Sequence, residues 1–415
     1  MPDTRQQLLD WIEQDREELI QFLRDFVRKK GPNPPGDTRS TAEFVTRFLD
    51  SQDLSYRIIS AHPEMPNIVA TFEGGRPGRH LVLNGHIDVF PVADDGLGWT
   101  KDPWGGELID GKVYGRGAAD MKCGTSASIF TYVYLSRIKD RLKGRLTLTA
   151  VSDEETFGPY GARYLMEHHP EVHGEALLNG EPSSPFSVRF GEKGPLWLEF
   201  TVLTQGAHGA YTHITKSATK IAMALAGELE KLTAIEPEVT DNVRRAIEAG
   251  RETMDTAMGP GAGEIADKVT LNIGLIKGGV KTNMIPSSAT FQADIRLPVG
   301  VTRERVLSEV EKILRAFPEA TMKELDCNLP SWVDPNCDII EIVRDTVEGL
   351  RGFRPDPIVS LGGTDARLWR YRNIPTCVYG PFPHGMGSTD EYVDVEDYLH
   401  IVRTHVLAAY TYLTR

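Results

Sequence analysis

From Leu8 to Val27 apolar residues recur at three- and four-residue spacing, which predicts an amphipathic helix. NPPGD (33–37) breaks it, and Thr41 to Leu49 resumes as a helix. YRIIS, NIVATFEG and HLVLNGHIDVF then read as strands. ASIFTYVYLSRI reads as a helix, RLTLTAVS as a strand, GARYLMEH as a helix and EALLNGE as a strand. Strands that are almost continuously apolar and alternate with helices predict an α/β sheet covered on both faces.

The pattern then changes. PLWLEFTVLTQG is a strand and SATKIAMALAGELEKLTAI a helix, followed by a polar stretch at 235–266. DKVTLNIGLIKGG and SATFQADIRLP are strands, TRERVLSEVEKILRAF is a helix and TMKELDCN a strand. The order βαββαβ is that of a ferredoxin-like unit. CDIIEIVRDTVEGL (helix), PIVSLGG and PTCVYG (strands) and the closing helix DVEDYLHIVRTHVLAAYTYL return to the first pattern. The expected organisation is a large α/β domain from residues 1–191 and 329–415, interrupted by a lid or dimerisation unit at 192–328.

Composition narrows the function classes. The chain has 415 residues and a formal net charge of −13, which disfavours nucleic acid or an anionic membrane as a general partner. Cys123, Cys327, Cys337 and Cys377 form no CxxC pair, so reduced thiols and a cytoplasmic setting are expected. The N-terminal stretch is dense in charge and lacks the apolar core of a signal peptide.

Chemistry collects where apolar runs end. NGHIDVF supplies His86 and Asp88, GRGAADMK supplies Asp120, SDEET supplies Glu154 and Glu155, NGEPSS supplies Glu181, and FPHGMGSTDEY supplies His384. Ligands of open α/β sheets bind beyond the carboxyl ends of strands, where several of these groups would meet. Two imidazoles among several carboxylates suit Zn²⁺, with Co²⁺ or Mn²⁺ as alternatives. The donors outnumber what one tetrahedral ion needs, which points to two ions sharing a carboxylate. Each element alone has a plain reading: an HxD as a core histidine, an acid triplet as a solvated turn. EHHPEVH (167–173) is denser in histidine, yet adjacent side chains diverge and Pro170 ends the helix, so it reads as an exposed helix end.

Taken in order, GHIDVFP, WTKDPWGGELIDGKVYGRGAADMK, SDEE, GEP, AHGAYTH, GGVKTNMIPSSATFQADIR, GGTDAR and the histidine before STDEYV resemble the M20 metallopeptidase family. The resemblance implies a two-zinc amidohydrolase with an inserted ferredoxin-like lid, acting on a small carboxylate-bearing amide and commonly dimeric through the lid. It implies that His86 and Glu181 bind one zinc, Glu155 and His384 the other, and Asp120 both. Asp88 would accept the free N–H of His86, and Glu154 would be the general base for a water or hydroxide held between the ions. His208 of the lid would steady the oxyanion, Asn283 and Arg296 would grip a substrate carboxylate, and Gly362, Gly363 and Thr364 would line the pocket. The peptide after Asp120 is often cis in such proteins. Asp153 keeps no role beyond a helix cap.

Two departures stand out. Cys123 replaces the usual glycine after MK, and SDEETFGPYG lacks the usual GG after the acids, which leaves the acyl specificity open. A catalytically silent metal-binding protein is the alternative from another class; a base at Glu154 argues against it. A serine hydrolase finds no GxSxG elbow.

Overall fold

The computed structural model of the chain describes residues 4–93 and 97–415. Its backbone is a nine-stranded mixed sheet joined to a separate four-stranded antiparallel sheet. Across the large sheet the order runs Arg57–His62, Met65–Glu73, Lys143–Val151, Arg76–His86, Ala176–Asn179, Thr376–Val378, Ser187–Glu192 and Ser331–Trp332, with Asp356–Ser360 also paired to Ser187–Glu192. The middle of the sheet is parallel: Arg76–His86 runs alongside both Lys143–Val151 and Ala176–Asn179, and Thr376–Val378 alongside the latter. His86 is in register with Val151, and Asn84 with Asn179. The segments that follow, 152–155 and 180–181, therefore leave the sheet beside His86.

Apolar side chains cover both faces, as near-continuous burial along these strands requires. One face packs against Arg16–Val27, Cys123–Ser136, Asp338–Arg351 and Val395–Thr414, through residues such as Phe26, Phe130, Val343 and Tyr398. The other packs Val82, Val151, Leu177 and Val378 against Leu165 and Trp369 of two short helices, Ala162–His168 and Ala366–Arg370. The sheet Thr270–Gly278, Ser288–Leu297, Gly194–Leu203 and Ala320–Cys327 has its own core, with Leu225 and Val310 of Ala218–Leu229 and Arg303–Leu314 over one face.

Three sequence expectations need revision. The first helix is two, Thr4–Gln14 and Arg16–Val27. The polar stretch 235–266 contains the helices Asp241–Ala249, Arg251–Met258 and Ala262–Ile265. Its apolar positions are sparse but helically spaced: Val243, Ala246 and Ile247 join the core of the large sheet, not that of the small one. Gly250 comes so near Asp356–Ser360 that a Cβ would lie 2.8 Å from Ile358 Cγ2. Finally, SVRFGE (187–192) is a wholly buried strand, hidden from pattern reading by Arg189 and Glu192 among its apolar residues.

All four cysteines are free, and the described residues include no helix long and apolar enough to cross a membrane. His168, His169 and His173 turn to different partners, Tyr164, Glu171 and the Met166 carbonyl.

Candidate metal centre

The parallel strands deliver their terminal residues to one place. His86 Nε2 lies 3.2 Å from Asp120 Oδ1 and 3.5 Å from Glu181 Oε1. Among the described residues two groups of potential ligand atoms fall within 4.8 Å of one another: His86, Asp120 and Glu155, and His86, Glu154 and Glu181. The helix Cys123–Ser136 starts against this edge. Gly124 permits the approach, since a Cβ there would sit 2.0 Å from the Gly180 carbonyl oxygen, next to Glu181.

Two carboxylates outside these groups hold the backbone that carries them. Asp88 accepts the backbone N–H of Glu154 at 3.3 Å and that of Glu155 at 3.1 Å. Its expected bond with His86 is the weaker contact: His86 Nδ1 is 3.5 Å from the Asp88 carboxylate and 2.9 Å from the Asp88 carbonyl oxygen. That carbonyl fixes Nδ1 as the donor and leaves Nε2 for the cluster. Glu391 is the second such acid. Its Oε1 accepts the N–H groups of Ala119 and Asp120, both at 3.0 Å, and its Oε2 accepts Arg116 at 2.7 Å. Arg116 also donates to the Ser388 carbonyl at 2.8 Å, so one buried unit ties the 384–391 segment to Asp120. The Asp120–Met121 peptide is cis.

Asp153 does not cap the next helix, Ala162–His168, whose N-cap is Gly161; it braces the turn before it. It has φ +66°, which aspartate tolerates better than most residues, and its carboxylate accepts Thr156 Oγ1 and the Tyr160 N–H. A Cβ at Gly158 would overlap this carboxylate at 1.9 Å, which is why the turn needs glycine there. Asn33, from the NPPGD turn, donates its amide to both Asp88 (2.9 Å) and Asp153 (3.1 Å). Lys122 Nζ donates to the carbonyls of Phe26 and Lys29, satisfying the end of Arg16–Val27 and docking it behind Asp120.

The electrostatics are dominated by buried acids. Burial first, and then neighbouring acids, push Glu154, Glu155 and Glu181 well above the ordinary carboxyl range, although His86 pulls the other way. Burial likewise raises Asp365 to about 6. Burial opposes charge on Asp88 too, but bonds from His86, Asn33 and the Glu155 N–H outweigh it and hold its carboxyl below the usual value. Burial disfavours a charged His86, yet Glu181, Asp120 and Asp88 raise its pKa well above the usual imidazole value. Glu154 Oε1 and Glu155 Oε1 are sealed from solvent without a hydrogen-bond partner among the described residues. Arg367 stops 3.8 Å from Glu154 and stacks on Phe157. Unpartnered carboxylate oxygens around one imidazole fit a divalent cation.

The other candidate residues, His384 among them, stand outside both ligand groups. His384 stacks on Tyr392 at 4.5 Å, and its Nε2 is 3.7 Å from Asp394. His208 is exposed on the small two-stranded pairing Ala207–His208 with Met284–Ile285, and the Gly209 N–H donates to the Asn283 carbonyl, so these two residues are neighbours. Arg296 is engaged by Asp294 through Nε and NH2. The Thr364 N–H and hydroxyl both donate to Glu192, which also accepts Arg370; the Gly362 N–H donates to Ser360. A Cβ on Gly363 would touch the Phe157 ring at 3.4 Å. Cys123 is buried in the core, and burial drives its thiol well above the ordinary value.

Comparison with known proteins agrees with this architecture. The model of peptidase family M20/M25/M40 matches residues 82–411. The chain is similar to a succinyl-diaminopimelate desuccinylase of Cereibacter sphaeroides, at 29% identity over 91% of this chain and 94% of the relative. It is similar to a probable succinyl-diaminopimelate desuccinylase of Staphylococcus epidermidis at 25% identity, over 94% and 96%. Among solved structures, an M20 family metallo-carboxypeptidase of Sulfolobus solfataricus superposes with a TM-score of 0.79 at 17% identity, covering 96% of this chain and all of that one. Human carnosine dipeptidase 1 gives 0.72 at 18% identity, covering 100% and 99%.

Proposed function

The chain belongs to peptidase family M20/M25/M40 and is a metal-dependent amidohydrolase, and from that premise we propose that it cleaves the amide of an N-acyl amino acid or small peptide with two divalent ions, zinc first among them. The observation that carries this reading is the convergence of Asp120, Glu154, Glu155 and Glu181 on His86, with buried carboxylate oxygens left unpartnered. His86 and Glu181 would hold one ion and Glu155 the other, with Asp120 available to both; His384, outside both ligand groups here, would complete the second set as the family resemblance implies. When bound, such ions lower the pKa of a water and polarise the carbonyl it attacks.

The protein's own groups do the rest. Glu154 takes the proton of the attacking water and returns it to the departing amine. Its high proton affinity in the buried pocket suits both halves of that task. Asp88 sets its position through the backbone, and Arg367 limits how far it swings. His208 steadies the oxyanion and Asn283 orients the substrate as the small unit closes. Leu275, Ile276 and Val280, exposed on and just beyond the edge strand Thr270–Gly278, support pairing of that unit with a second copy.

The test is hydrolysis of a panel of N-acyl amino acids and dipeptides by metal-loaded protein. Glu154→Gln should cut kcat by ~10²–10⁴-fold at unchanged metal content. Equal rates for the two proteins would refute the assignment.

A further inference from the structure

Near the metal candidates lies a guanidinium with no hydrogen-bond or ion-pair partner among the described residues. Strand register locates it. Asn84 pairs with Asn179, Asn179 with Val378 and Val378 with Arg189, forming one row across four adjacent strands. Residues in register project to one face of a sheet, and His86, two positions beyond Asn84, projects to that face as well. Arg189 thus rises from the same face as the metal candidates, two strands and about 10 Å from Asn179. Glu181 lies between them, since its backbone passes so close to Gly380 that a Cβ there would sit 2.2 Å from the Glu181 carbonyl oxygen.

Arg189 is 6% exposed, and its Nε is sealed without a partner. Its side chain makes no hydrogen bond or ion pair among the described residues. The other buried arginines are engaged: Arg116 with Glu391, Arg367 with the Thr364 carbonyl and Arg370 with Glu192. Nearby acids are committed. Glu192 is taken by Arg370 and Thr364, and Glu181 faces His86. Both nevertheless favour the charged guanidinium, whose pKa burial lowers only to about 10. A charged, bidentate donor without a hydrogen-bond partner, on the sheet face that carries the metal candidates, lacks a planar anion.

We propose that Arg189 is an anion contact of the substrate pocket and takes a carboxylate of the substrate, separate from the amide held at the metal centre. The proposal rests on the amidohydrolase reading and deepens it: the preferred substrates are those with a second carboxylate within a few bonds of the scissile carbonyl. Arg296, by contrast, comes already paired with Asp294, which is itself held by Trp197.

Two probes of equal chain length isolate the contact. Succinate can place one carboxylate at the metals and one on Arg189, whereas butyrate has only the first. Calorimetric titration of the metal-loaded wild type should show succinate binding ~10- to 100-fold more tightly than butyrate. Arg189→Met should abolish that preference while leaving butyrate binding and metal content unchanged. Should Arg189→Met fail to fold, Arg189→Lys decides, because a point charge without the planar fork should lose most of the preference. A preference that survives substitution, or a wild type that takes up metal and shows none, overturns the proposal. A wild type that takes up no metal overturns the reading beneath it.

Discussion

Removing the Glu391 carboxylate tests whether this acid, remote from the reacting atoms, sets metal affinity. Glu391 accepts two backbone N–H groups, one of them from Asp120 itself, and an Arg116 guanidinium. Groups that orient a metal ligand typically account for 10–100-fold in affinity. Glu391→Ala frees the 119–120 backbone and should weaken metal binding by about that factor. It also strands Arg116, which is 3% exposed, and breaking a buried ion pair costs about 3–5 kcal/mol. Glu391→Gln separates the two effects. Its amide oxygen still accepts from Ala119 and Asp120, but its amide nitrogen meets Arg116 donor to donor. The glutamine variant should lose stability yet hold metal more tightly than the alanine variant. Metal affinity comes from competition with a chromophoric chelator, and stability from thermal melts of the chelated proteins. A folded Glu391→Ala protein with wild-type metal affinity would refute the reasoning, and so would affinities that simply track stability across both variants.

Further outcomes follow from the same geometry. His208→Ala should lower kcat by ~10²–10³-fold with metal content unchanged, and lost metal would show that His208 is a ligand. The metal-free protein should lose stability as pH rises. Glu154, Glu155 and Glu181 have folded pKa values well above their unfolded values, so the folded state holds more protons between the two. Stability is then fully present below the unfolded carboxyl pKa of about 4.3 and is lost as pH rises toward the folded values. A chelated protein whose Tm is flat or rising from pH 5 to 8 would contradict this, as would a metal-loaded one that falls equally.

Much of the catalytic edge was legible because strand ends are visible in sequence. Apolar runs stop at His86, at Ser152 and at Asn179, and the acids come immediately after. What pattern reading missed were side chains whose partners are backbone groups of distant segments. Asn33 looked like part of a helix-breaking turn, and it joins Asp88 to Asp153. Glu391 looked like one letter of the stretch after His384, and it holds the Asp120 peptide. Arg189 and Glu192 disguised a central strand, because charges in a strand normally mark its solvent face. Here both are buried inside the protein, Glu192 against Thr364 and Arg370.

The division of labour among the acids explains why so many are needed. A carboxylate facing a dication cannot also brace its own backbone, because the metal takes its free oxygens and its geometry must match the ion. Three of the four facing acids depend on one turned away: Glu154 and Glu155 on Asp88, Asp120 on Glu391, while the Glu181 N–H donates to the Asn179 amide oxygen. The two bracing acids differ in what neutralises them. Glu391 has Arg116, a permanent charge, so that half of the scaffold keeps its counter-ion whatever the metal content. Asp88 relies on amide donors and on His86, whose own charge depends on the cluster it faces. Metal removal should therefore loosen the Asp88 half first. Backbone amide exchange at Glu154 and Glu155 should rise on chelation, while exchange at Ala119 and Asp120 stays slow.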